Sequence, residues 1–129
     1  MKLIWLTDIH LNFLKTENRM DFYQKIIATS SDVILLSGDI AEAPSIQPIL
    51  KEMVDSIQRP IYFVLGNHDY YHGSVYSVRQ EMTTLTKGKP RLFWLPGSGP
   101  QKLSKDVILL GQDCFADGRY GDISIAVLS

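Results

Sequence analysis

Three short apolar runs punctuate the first half of the chain, and each stops at a polar turn. Leu3-Ile4-Trp5-Leu6 ends in Thr7-Asp8-Ile9-His10, Val33-Ile34-Leu35-Leu36 ends in Ser37-Gly38-Asp39, and Ile61 to Leu65 ends in Gly66-Asn67-His68-Asp69. Continuous apolar runs of this length, bounded by turn residues, read as strands buried on both faces, as in parallel sheets. The segments between them change period. Across 46–57, Ile46, Ile49, Leu50, Met53, Val54 and Ile57 fall on one stripe of a helix. Pro44 or Pro48 suits its first turn, where a missing N–H costs little. Residues 19–29 carry a weaker face of Met20, Phe22, Tyr23, Ile26 and Ile27, and Val75, Val78, Met82 and Leu85 predict a further helix. Arg91 to Leu95 and Val107 to Leu110 read as two more strands, with the turn between them at 96–100, Pro-Gly-Ser-Gly-Pro. Alternating strands and helices imply βαβ crossovers and parallel pairing, hence an α/β fold with a partly parallel sheet. The last stretch, from Asp113 to Ser129, begins loop-like and ends in an apolar run, Ile123 to Leu128, that needs a neighbour to cover it.

Composition narrows the picture only a little. A chain of 129 residues, 45% hydrophobic, has the size and core of one domain, taken as 1–129. A formal net charge of −1 gives no reason to expect a nucleic-acid backbone or an anionic membrane as partner. Cys114 is the only cysteine, so no internal disulfide is available. The apolar stretch Leu3–Leu6 is too short for a signal-peptide core or a membrane span. The expectation is a cytoplasmic protein.

The chemistry concentrates at the ends of the first three strands. In a parallel sheet those ends open on one side, where ligands bind. They carry Asp8 and His10, then Asp39, then Asn67 and His68. Carboxylate, imidazole and amide oxygen together suit a divalent metal such as Mn, Fe or Zn. Taken singly, each residue has an ordinary role: Asp as a turn former or helix cap, His10 as a surface residue, Gly66-Asn67 as a tight turn. Ligand-type residues at three separate strand ends, in this order, rarely arise from turn chemistry alone. A dinucleotide-binding reading is poor, because Thr-Asp-Ile-His-Leu-Asn-Phe, and no Gly-x-Gly-x-x-Gly, follows the first strand.

Asp8-Ile9-His10, Gly38-Asp39 and Gly66-Asn67-His68-Asp69 resemble the first three motifs of the calcineurin-like metallophosphoesterases: Asp-x-His, Gly-Asp and Gly-Asn-His-Asp/Glu, each after a strand. The order and the spacing of about 30 residues suit βαβ units. The resemblance covers residues 3 to about 73, and the stretch 113–122 is similar to a segment of some bacterial members. It implies a two-sheet αββα sandwich, of which this chain carries the N-terminal part. It implies two divalent metal ions, with Asp8 and His10 on the first, Asp39 shared, and Asn67 on the second. His68 would stand near the phosphoryl group of a phosphate-ester substrate and stabilise or protonate it, and Asp69 would orient that region. The implied reaction is phosphoric ester hydrolysis by a hydroxide activated at the binuclear centre.

The sequence departs from the family where the later ligands should come. The family supplies a further histidine after a strand and then a Gly-His-x-His motif, whereas the histidines here are His10, His68 and His72. The chain therefore reads as an incomplete domain, and weak or absent phosphatase activity is expected of the 129 residues themselves. The alternative is a shortened, non-catalytic relative acting as a metal-binding or interaction module, or one that self-associates through an exposed sheet edge or the C-terminal apolar segment. His72 is expected to be a surface loop residue, Cys114 a small buried one, and Tyr70 and Tyr71 packing residues. Asp113 follows a strand at a position where later ligands could fall.

Overall fold

The computed structural model describes residues 1–113. Strands β1 (Leu3–Leu6), β2 (Val33–Ser37), β3 (Ile61–Val64) and β4 (Leu92–Trp94) alternate with helices α1 (Thr16–Ala28), α2 (Ile46–Ile57) and α3 (Val75–Lys87). The strands form one parallel sheet in the order β1-β2-β3-β4. Each crossover steps to the next strand in the same direction, so the three helices line one face and pack side by side, α1 on α2 and α2 on α3. The register sets Leu6 beside Leu36, Leu36 beside Phe63 and Phe63 beside Trp94. The C-terminal ends of the strands are therefore level, and the loops that leave them share one rim.

Alternation along the strands separates two faces. Ile34, Leu36, Ile61, Phe63, Leu92 and Trp94 point to the helices and form the main core with the apolar stripe of α2, all six residues of which are buried. Tyr23 and Ile26 of α1 join that core, with Met20, Phe22 and Ile27 partly buried against it. Across the α1–α2 seam, Arg19 Nε donates to Glu52 Oε2 at 2.8 Å and the Tyr23 hydroxyl donates to the same oxygen at 2.7 Å. The Arg19 hydrogen bond holds the Glu52 carboxyl below the ordinary carboxylate range, against the opposing effect of burial. On the other face, Val33, Tyr62 and Val64 pack with Leu95 and, at the margin, Leu35, Phe93, Leu103 and Leu109. Tyr62 and Phe93 stack there, 4.6 Å between ring centroids.

The helix predicted from Val75, Val78, Met82 and Leu85 is α3, whose buried stripe starts at Val78 while Val75 is half exposed. Three expectations from the sequence need correction. β1 is not buried on both faces: it is an edge strand, and Leu3 and Trp5 are 41% and 67% exposed on the face away from the helices. The stretch 96–100 is not a turn between two strands of one sheet. Leu95–Ser98 form a short helix, α4, with Pro96 in its first turn, where proline fits. Residues 107–110 shrink to β6 (Ile108–Leu109), which pairs antiparallel with β5 (Gln101–Lys102) in a separate hairpin. Cys114 and the apolar run Ile123 to Leu128 lie outside the described residues.

Two stability measurements probe this packing. Leu50, fully buried in α2, should lose about 2–5 kcal/mol on Leu50→Ala in urea unfolding. The lowered Glu52 carboxyl contributes stability above its unfolded value, near pH 4.3, and loses it as pH falls through the folded one. The destabilisation of Glu52→Gln relative to the parent should accordingly be largest near neutral pH and shrink below about pH 4.

Candidate metal centre

The loop after β1 runs alongside the loop after β2 and continues their pairing beyond the sheet. The Asp8 N–H donates to the Gly38 carbonyl at 3.1 Å, His10 N–H to Asp39 at 3.0 Å, and Leu11 N–H to Ile40 at 2.8 Å. These bonds hold three residues in the left-handed region: Asp8 at φ 54°, His10 at φ 41° and Asp39 at φ 51°. Such a backbone costs a non-glycine residue roughly 1–2 kcal/mol, least for short polar side chains such as Asp. Asp8, His10 and Asp39 are three of the four metal-ligand candidates read from the sequence. Each offers a ligand atom, and those atoms all lie within 4.8 Å of one another.

The loops after β2 and β3 touch backbone to backbone. Gly38 has φ 102°, and a Cβ there would stand 2.8 Å from the Gly66 nitrogen. A Cβ on Gly66 would overlap Asp39 Oδ1. The glycines of the two motifs are thus fixed by close approach. Asp39 is 9% exposed, and its Oδ1 accepts the His68 backbone N–H at 3.1 Å. The His68 Nε2 lies 4.0 Å from Asp39 Oδ2, and its ring meets that of His10 edge-on at 5.1 Å.

Asp69 holds this crossing together. Its carboxylate is fully buried, with Oδ1 accepting from the Ile40 and Ala41 N–H groups at 2.9 and 2.8 Å, and Oδ2 from Gly66 N–H at 2.8 Å. Burial pushes its carboxyl up to about 6, against the three N–H donors that pull it down, with the nearby Asp39 charge adding to the rise. Asn67 opens the turn at His68–Tyr70 with a helical backbone, φ −63°, yet its side chain does not cap that turn. Its Nδ2 donates instead to the Tyr71 hydroxyl at 3.2 Å. Asn67 leads a tight turn closed by the Tyr70 N–H, which donates to the Asn67 carbonyl at 3.2 Å.

The structure thus brings Asp8, His10 and Asp39 into one group, with His68 against two of them and Asn67 on the same rim between Gly66 and His68. His72 stays outside: it is on the surface, with Nε2 3.5 Å from Glu42 Oε2. Asp113 is not at the rim group either. Its Oδ1 accepts from Leu65 N–H at 2.8 Å and from Trp94 Nε1 at 3.2 Å, and its Oδ2 from the Tyr70 hydroxyl at 2.7 Å and Arg79 at 2.9 Å. Tyr70 is a packing residue as expected, whereas Tyr71 contacts two site candidates. Two carboxylates and an imidazole at this separation fit a divalent cation with mixed oxygen and nitrogen ligands.

The family model described as calcineurin-like phosphoesterase matches residues 1–119, and the chain belongs to that family. A metallophosphoesterase of Campylobacter jejuni, itself uncharacterised, is 31% identical over 77 residues, covering 57% of this chain and 21% of that protein. Another from Helicobacter pylori is 31% identical over 83 residues, covering 57% and 21%. A transmembrane protein with a metallophosphoesterase domain from Bos taurus is 30% identical over 81 residues, covering 58% and 18%. The chain thus spans about a fifth of the length of these relatives. The parallel sheet with its interleaved helices matches what is expected of the N-terminal part of such a domain. Among the described residues, no helix is long and apolar enough to cross a membrane.

Asp69→Asn tests the crossing. It turns an N–H₂ toward the Gly66 donor and leaves that backbone group unpaired, so urea unfolding at neutral pH should show a loss of about 1–3 kcal/mol.

Proposed function

We propose that this chain carries the metal-holding rim of a metal-dependent phosphoesterase, with Asp8 and His10 serving a first divalent ion, Asp39 shared between two, and Asn67 serving the second. The observation that carries the reading is the meeting of the Asp8, His10 and Asp39 ligand atoms within 4.8 Å, with His68 set beside Asp39. Mn, Fe or Zn suits these ligands, and such ions, when bound, supply Lewis-acid charge that makes a water acidic and withdraws charge from phosphate oxygens.

The chain's own residues do the rest. Asp8 and Asp39 give the cleft its negative charge and draw cations to it. The His68 backbone N–H fixes one Asp39 oxygen, so the orientation of that carboxylate is set by the loop after β3. The His68 ring is one-third exposed and therefore reachable by a phosphate ester above the rim. There it donates a proton or a hydrogen bond to an oxygen of the phosphoryl group, a contribution of about 10²–10⁴ in rate. Asp69 contributes by position alone, since all its acceptor bonds go to backbone.

Calorimetric titration with Mn²⁺ is the direct test. The chain should bind the ion, and Asp39→Asn should weaken binding by roughly tenfold or more. No uptake at millimolar Mn²⁺ would rule the reading out. The 129-residue chain should hydrolyse a chromogenic phosphodiester weakly or not at all, since no histidine follows His72. Turnover at ordinary enzyme rates, abolished by Asp39→Asn, would contradict that expectation and assign the full activity to these residues.

A further inference from the structure

Tyr71 touches both Asn67 and His68. The Asn67 amide is nearly symmetric in shape, so hydrogen bonding decides which of its ends faces the cleft. A cation takes the carbonyl oxygen and cannot take the NH₂ group. With Nδ2 donating to the Tyr71 hydroxyl at 3.2 Å, Oδ1 is the end left for the rim. Nothing in the local backbone does this work, because the Asn67 side chain does not cap the turn that it opens. The Tyr71 ring also lies 4.4 Å from the His68 ring at 39°, closing one side of the imidazole, while His10 meets it edge-on. Tyr71 is itself well anchored: its N–H donates to the His68 carbonyl at 3.0 Å, and its carbonyl accepts from Ala43 N–H at 3.0 Å. That second bond fastens it to the loop after β2.

We infer that Tyr71 is a positioning residue of this centre, whose hydroxyl holds the Asn67 amide with its oxygen toward the cation and whose ring backs His68. The inference rests on the reading of Asn67 as a ligand given above. The coupling is reciprocal. When Oδ1 turns to an ion, Nδ2 must find an acceptor elsewhere, and Tyr71 supplies it. Without the hydroxyl, the Nδ2 group loses its acceptor when Oδ1 turns to an ion.

The test titrates the full chain with Mn²⁺ alone in a calorimeter, as wild type, Tyr71→Phe, Asn67→Ala and the double variant. Tyr71→Phe keeps the ring and should melt with the parent, yet lose roughly tenfold in affinity for the more weakly held Mn²⁺. In the Asn67→Ala background the same substitution should cost nothing more. In metal-free chain, Tyr71→Phe should also shift the NMR signals of the Asn67 side-chain amide, which a purely packing role would leave in place. In the wild type, Zn²⁺ should move the Asn67 amide and Tyr71 ring signals at the same ion concentration; Tyr71 signals that stay put overturn the inference without any variant. Parental affinity in Tyr71→Phe alongside weakened binding in Asn67→Ala would overturn the role of Tyr71 and leave the Asn67 reading standing. Losses that add in the double variant would also overturn it. Parental binding in Asn67→Ala, or no binding in the wild type, would bring down both.

Discussion

The loops that leave β2 and β3 cross at van der Waals range, and a buried carboxylate with three backbone N–H donors keeps them there. Asp69 takes Ile40 and Ala41 from one loop and Gly66 from the other. Each of these groups would otherwise be an unpaired donor in a dry interior, at a cost of about 1–3 kcal/mol. The three donors oppose the carboxylate's own desolvation, which raises its carboxyl to about 6, and keep it from rising further. It also dictates the glycines, because no side chain fits at Gly38 or Gly66 once the loops have closed to this distance.

From that crossing the rest of the rim follows. The loop after β1 is hydrogen-bonded to the loop after β2 through Asp8, His10 and Leu11, so it inherits the same placement. Left-handed backbone at Asp8, His10 and Asp39 turns three side chains toward one small volume, and the surrounding hydrogen bonds offset the strain. Two carboxylates facing each other at this range repel by an amount on the order of 1 kcal/mol or more, depending on solvent access. A divalent cation held there, as proposed above, would relieve that repulsion.

Much of this was legible in the chain. The strands β1 to β3 and the helix α2 could be read because apolar runs and one unbroken stripe leave little choice of period. The convergence of Asp8, His10 and Asp39 followed from the three strands being neighbours, which βαβ topology favours. Other features depended on tertiary facts that no local pattern carries. The exposure of Trp5 reflects an edge position, and the short helix at Leu95–Ser98 arises where Pro96 enters a first turn that a run of turn residues does not announce. Tyr71 read as packing because a tyrosine after a motif has no period of its own; its hydroxyl matters only once Asn67 fails to cap its turn. Asp113 lies 48 residues from Leu65, whose N–H it accepts, a partnership invisible from spacing.

On this reading Asp8, His10 and Asp39 serve one cation at a rim fixed by the two crossing loops. A crystal structure of the chain soaked in Mn²⁺, read by anomalous scattering, tests it most directly. An anomalous peak is expected within coordination distance of Asp8, His10 and Asp39 together. A peak bound elsewhere, or no peak at saturating Mn²⁺ with the rim intact, would contradict it.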